Sequence, residues 1–306
     1  MSVTVAFSTV LIMLLYAVPG FAMIKTKLVT KDNIPAVAKL LMYVCQPALV
    51  VASMSKVTFS VSMTLDLLTV FAIMLLSQGI AIGIMFLFFK KKTDDAKYRI
   101  YVLACAMGNC SFMGIPVLES LLPDHPEAVA FSAVASLALN ILGWTVGSAV
   151  IMKDKKYISV KKILLNPTTI AMALAIPLYV TGFRLPALLS DAVELVGKMS
   201  TPLCMIIMGM RLATLPLHTV FSQAGNYAVI AVKQVLFPAA VLGIMLLLPI
   251  NPVIKSACYI MICCPSASVV LNFSEMLGKG QSTAARLVLL STLLSVLTIP
   301  IMILLI

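Results

Sequence analysis

Charge is scarce in this chain and lopsided in sign. Only 11% of its 306 residues are Asp, Glu, Lys or Arg, with 22 basic side chains against 11 acidic ones. A soluble domain is about half apolar and about a quarter charged; here 61% of residues are hydrophobic and mean hydropathy is +1.10. Apolar runs of about twenty residues, the length that crosses a bilayer core, recur along the chain. A water-soluble globule is excluded, and the chain reads as an all-α integral membrane protein. Histidine is nearly absent: His125 and His218 lie in connectors with no partner at ligand spacing. The seven cysteines form no C-x-x-C and all fall in or beside apolar runs, so neither a metal site nor a disulfide framework is expected. They read as small hydrophobes. No G-x-x-x-x-G-K-[ST], H-E-x-x-H or G-x-S-x-G occurs, nor paired aspartates within a span. An ATP-driven pump and an intramembrane enzyme are both disfavoured, and no cofactor is expected.

What is present is a series of ten expected spans, at 3–24, 34–55, 65–89, 98–122, 127–152, 163–183, 187–211, 221–248, 253–277 and 282–305. The opening run reads as the first span rather than a signal peptide, since it lacks a basic leader and a small-residue cleavage site. Of the 22 Lys and Arg, sixteen fall in the odd-numbered connectors. Four (Lys56, Arg184, Lys198, Lys255) fall in the even ones, and Lys39 and Lys233 lie within spans. Basic short loops stay in the cytoplasm. This predicts a multi-pass protein of the cytoplasmic (inner) membrane with both termini outside. The net charge of +11 is then a topology signal, with anionic-lipid contact secondary and nucleic acid not a partner.

Ten spans divide into five and five, and an odd number per half makes the halves enter the membrane from opposite sides. Pro47 in "QPALVVASM" echoes Pro202 in "TPLCMIIMGM" at 155 residues' distance. Gln78 echoes Gln234 at 156, and Pro116 echoes Pro265 at 149. Three echoes at nearly half the chain length predict two inverted five-helix repeats, residues 1–155 and 163–306.

Spans 4 and 9 are the interrupted ones, reading "AMGNCSFMGIPVLES" and "ICCPSASVVLNFSEML". Proline removes a backbone hydrogen bond and pushes the preceding residue out of the helical region. In hydrocarbon such a break survives only inside protein or beside a watery cavity. Matched breaks in the two halves point to a transporter's midplane site. Each second half-helix offers free N–H groups and the positive end of its dipole, which favour an anion. Asn109, Ser111, Gly114 and Pro116 surround one break; Pro265, Ser266, Ser268 and Asn272 surround the other. Neutral amides hold a carboxylate while permitting release. The expected ligand is a small organic anion.

Three ionisable residues are candidates for charge or proton coupling. Glu119, three residues past Pro116, either neutralises a helix start, sits at the interface, or handles protons or substrate. Glu275 falls at the headgroups or at the site. Lys233, about 12 Å deep at 1.5 Å per residue, either attracts the anion or pairs with Glu275. Arg211 and Lys39 read as interfacial.

The stretch "GNCSFMGIPV" resembles the N-x-x-F-x-G-x-P signature of the auxin efflux carrier family, which includes plant PIN proteins and bacterial malonate and malate permeases. "NPTTIAMALAIPLYVTG", "MSTPLCMIIMGMRLA" and "VLLSTLLSVLTIPI" resemble its spans 6, 7 and 10, so the likeness covers most of the chain. It implies an NhaA-like or bile-acid-symporter-like architecture. In it, spans 1, 2, 6 and 7 form a support domain and spans 3–5 and 8–10 a transport domain. Spans 4 and 9 would cross at their prolines, within a homodimer working by an elevator movement. By position, Asn109 and Pro116 match the signature and Pro265 the second crossover proline. Cys110, Ser111 and the "CCPSAS" run depart from the family pattern. The fifth connector is short, as in compact bacterial members. Two further readings stay open: a sodium-coupled organic-anion symporter of bile-acid type, and a channel or transporter-like sensor.

Overall fold

A computed structural model describes residues 2–306, and among them the regular structure is entirely helical. Seven helical stretches are long and apolar enough to cross a membrane: α1 Val3–Lys25, α2 Lys31–Ser55, α3 Val61–Lys92, α6 Glu127–Met152, α8 Ala187–Ala213, α9 Ala224–Leu246 and α12 Gln281–Ile303. The remaining apolar sequence forms shorter pieces. These are α4 Ala96–Ala106, α5 Gly114–Leu121, α7 Pro167–Thr181, α10 Pro252–Cys263 and α11 Val269–Leu277.

Local sequence sets most of the boundaries. α7 and α10 open on the same device, an asparagine followed by proline at the first helical position. Asn166 and Asn251 each accept a hydrogen bond, at 2.9 Å, from the N–H two residues on. Proline there gives up only a donor that the first turn leaves unused. Gly182 and Gly278 end α7 and α11 in the left-handed region, at φ +66° and +70°, where glycine carries no Cβ penalty.

Packing follows the small residues. α1 lies so close to α8 that a Cβ on Gly20 would fall on the Ile206 carbonyl oxygen, and one on Gly209 on that of Ala17. Gly197 of α8 likewise lets the backbone of α2 approach at Leu49. Between membrane helices this close approach is the main source of attraction, because lipid tails are as apolar as leucine. α2 also packs on α7, while α3 packs on α4 and α6. Along α3, Leu65, Leu68, Leu76, Ile80, Ile84 and Leu87 form an exposed stripe of lipid-facing residues. Its opposite face buries Val70, Met74, Gln78 and Ile82.

Spans 4 and 9 are broken, but not where the prolines alone suggested. In span 4 the helix stops at Ala106 and resumes at Gly114, so Pro116 sits in the first turn of α5 rather than at the break. The interruption belongs to residues 107–113, where Gly108 and Asn109 are weak helix formers. In span 9 the non-helical segment is 264–268 and does contain Pro265.

Candidate functional site

The two broken segments cross and bond to one another. Gly108 and Ser266 form an antiparallel bridge. Asn109 N–H donates to the Pro265 carbonyl at 2.8 Å, and Ala267 N–H to the Met107 carbonyl at 2.9 Å. This answers how backbone freed by two helix breaks is satisfied at membrane depth: each break supplies the other's partners. The crossing lies at Gly108 and Ser266, so that Pro265 takes part in it through its carbonyl, while the expectation that Pro116 marks it is corrected.

Glycine at 108 has a steric reason. A Cβ there would stand 3.3 Å from Lys233 Nζ and 3.4 Å from the Met261 carbonyl oxygen. Lys233 is 1% exposed, in a π-turn of α9 (Val232–Leu236), and its ammonium donates to the Ile262 carbonyl at 2.7 Å. It therefore caps the C-terminal, negative end of α10. The expected pairing with Glu275 does not occur, and the side chain does not snorkel to the surface. Gln78 of α3 reaches the same spot, lining a small gap with Gly108, Cys110 and Lys233. Among the described residues its amide has no hydrogen-bond partner.

Beside the crossing lies a cavity of ≈ 120 Å³, walled by α2 and α8 on one side and by the broken spans and α6 on the other. Four of the expected residues line it together: Asn109, Ser111, Ser268 and Asn272. The Asn109 side chain has no hydrogen-bond partner among the described residues, whereas Ser111 and Ser136 share a hydroxyl–hydroxyl bond. Asn272 makes only a 3.9 Å contact with Met42 Sδ. The other expected residues lie elsewhere. Gly114 starts α5, its N–H bonded to the Asn109 carbonyl at 3.1 Å. Pro265 contributes its carbonyl to the bridge. Ser266 is buried, its hydroxyl donating to the Ala104 carbonyl at 2.9 Å and its N–H to Ser291 Oγ at 3.2 Å. Pro116 faces a second cavity, of ≈ 270 Å³.

The free helix starts also differ from expectation. The N–H groups of Gly114 and Ile115 are taken by the carbonyls of Asn109 and Ser111, at 3.1 and 3.2 Å. The start of α5 thus has little left for a ligand. At α11, Ser268 and Val269 line the first cavity, and their N–H groups donate to no acceptor among the described residues. Glu119 is the sixth residue of α5; rather than capping the helix start, it pairs with Lys56 at 3.2 Å. Glu275 pairs with Arg211 at 3.3 Å. Arg211 is not merely interfacial, since it also lines the first cavity.

Sequence reasoning missed Arg211, Gln46, Asn140 and Asn166, which complete the polar lining. Asn140 and Gln46 carried a signal, each an amide well inside an apolar span. Arg211 and Asn166 sit near span ends, where polar residues are ordinary.

The two ends of the molecule are distinguished by their connectors. At one end, Lys153 pairs with Asp94, Lys162 stands 4.9 Å over the Trp144 ring, and Arg211 meets Glu275. At the other, Lys56, Glu119, Glu194 and Lys198 form a chain of ion pairs of 3.2, 3.9 and 3.0 Å.

A bundle of apolar spans, with a polar cavity against two broken helices that bond to one another, defines a multi-pass helical membrane protein with an internal polar cavity. A family model described as "Membrane transport protein" matches residues 5–303. The chain belongs to that family, the auxin efflux carriers. No individual curated protein matches it.

Proposed function

We propose that the chain is a secondary carrier for a small organic anion, a carboxylate such as malate, malonate or an auxin-like weak acid. The observation that carries this reading is the composition of the first cavity. Amides, hydroxyls and the open N–H groups of α11 face a space beside the crossing, and Arg211 supplies a cation at its edge. Lys233 adds positive charge behind the crossing. Such a lining favours an anion by hydrogen bonds and field together.

Two inverted five-helix repeats fit the geometry. One broken segment from each half meets the other at residues 108 and 266, which are 158 apart, close to the 155 and 156 of the sequence echoes. In this reading α1, α2, α7 and α8 are the support, and the remaining spans carry the anion by an elevator movement. By the family resemblance the carrier is a homodimer. It lies in the cytoplasmic membrane with both termini outside.

The sodium-coupled alternative needs carboxylate and carbonyl oxygens gathered at the crossing. There the Ile262 carbonyl is turned to an ammonium, while Glu119 and Glu275 are engaged near opposite mouths. A sodium ion next to Lys233 is electrostatically unfavourable. We therefore favour sodium-independent transport.

The test is flux in proteoliposomes of malate, malonate and indole-3-acetate, with and without sodium or a pH gradient. The reading expects saturable, counterflow-competent flux of at least one. Absence of flux for all three overturns it, and linear, non-saturable flux makes the protein a channel.

A further inference from the structure

The two cavities are built from matching positions. Leu49, Ser53 and Lys56 line the second cavity, and Cys204, Met208 and Arg211, each 155 residues later, line the first. Opposite the two cations stand Glu119, which lines the second cavity, and Glu275, which lies outside the first cavity's lining but pairs with Arg211. The two glutamates are 156 apart. So the ion pairs Lys56–Glu119 (3.2 Å) and Arg211–Glu275 (3.3 Å) are equivalents of one another, at opposite ends of the molecule. In each pair the cation lies in α8 or just past the end of α2, and the glutamate in one of the two half-helices, α5 or α11.

We infer that Arg211 and Lys56 are matched anion-recognition cations, one for each mouth, and that each is masked by its glutamate until an anion replaces it. This rests on the carrier reading above and adds to it the residues that select for charge. Four observations support it. Arg211 lines the same cavity as Asn109, Ser268 and Asn272, with its side chain 20% exposed. Its guanidinium presents paired donors suited to a carboxylate. Glu275 is 54% exposed, so leaving Arg211 returns it to water at little cost. Lys56, lastly, has a second acid within reach, Glu194 at 3.9 Å, which itself holds Lys198 at 3.0 Å. A carboxylate displaces either glutamate by exchange: one ion pair opens and another forms, and the released glutamate, about half exposed in both pairs, carries its own charge into water.

The exchange makes the two halves of each ion pair act in opposite directions. Titration calorimetry of malonate against the purified full chain should show Arg211→Gln weakening binding about tenfold, the equivalent of about 1.4 kcal/mol. Glu275→Gln should strengthen binding, because the cation is unmasked. Arg211→Lys should recover part of the loss. Glu127→Gln, which removes a carboxylate paired with His125 outside both cavities, should leave affinity unchanged and so exclude a general charge effect. The same opposite-sign pattern is expected for Lys56→Gln and Glu119→Gln. If Arg211→Gln does not fold, Arg211→Lys and Glu275→Gln carry the test. Loss of affinity in both members of a pair, or in neither, overturns the inference while leaving the carrier intact, provided that wild type binds and Asn109→Ala does not. Failure of wild type to bind malonate, malate or indole-3-acetate overturns the carrier reading and this inference with it.

Discussion

Asn109→Ala separates ligand binding from folding more cleanly than any other single change at the crossing. Its backbone makes two of the bonds that hold the crossing together: N–H to the Pro265 carbonyl at 2.8 Å, and carbonyl from the Gly114 N–H at 3.1 Å. Alanine keeps both. The amide makes no hydrogen bond to the protein among the described residues, so truncation strands no partner, and the cost in stability should stay near the ~1 kcal/mol typical of single substitutions. What is lost is a donor facing the cavity. A hydrogen bond to a charged group contributes about 1.5–3 kcal/mol, and each 1.4 kcal/mol is about tenfold in affinity. The transported anion's KM in proteoliposomes should therefore rise about ten- to hundredfold, with the thermal unfolding midpoint near that of wild type. Asn109→Asp, of equal size but negative, should be worse than alanine, because it repels the anion that the amide welcomes. An unchanged KM in Asn109→Ala refutes the assignment of the cavity. A large fall in the unfolding midpoint refutes the claim that the side chain is free of structural duty.

Other outcomes follow from the packing. Gly209→Ala puts a methyl group onto the Ala17 carbonyl of α1; overpacking of this kind costs about 1–3 kcal/mol, read as a lower melting temperature in detergent. Pro116→Ala should leave flux near wild type, since Pro116 occupies the first turn of α5, whereas Pro265→Ala should lower it by letting α10 run on through the break. Asp94, in the third connector, is held below the usual carboxylate range by its hydrogen bond and charge contact with Lys153. A depressed carboxylate contributes stability above its unfolded pKa and loses it as pH falls through the folded one. Limited proteolysis of the loop around Lys153 should therefore be constant from neutral pH down to the ordinary carboxylate range, and rise progressively from there to the depressed folded value. Asp94→Asn should show the raised rate at every pH.

Much of this protein was legible in its residue order, because in a bilayer the solvent itself constrains the backbone. Scarce charge and long apolar runs can only be spanning helices, so the class followed directly. The two broken spans could be located because Gly, Asn and Pro interrupt stretches where lipid would punish an unpaired N–H. The polar cluster of Asn109, Ser111, Ser268 and Asn272 was visible for the same reason. Family membership followed from the motif around Asn109.

Tertiary structure alone decided which polar groups serve the fold and which face the cavity. Ser266 and Ser268 are indistinguishable by type and two residues apart, yet one is tied to the Ala104 carbonyl and the other lines the cavity. Gly108, rather than Pro116, marks the crossing in span 4, because it is there that the backbone meets that of Ser266 beside the Lys233 ammonium. Lys233 and Glu275 were natural partners by depth and charge, but Lys233 turns to the end of α10, and Arg211, from a helix far away in sequence, takes Glu275. Charge partners are chosen by distances of 3–4 Å that fall steeply with separation, and those distances exist only once the helices have packed. The residues fixed where polarity was needed; the packing fixed which charge answers which.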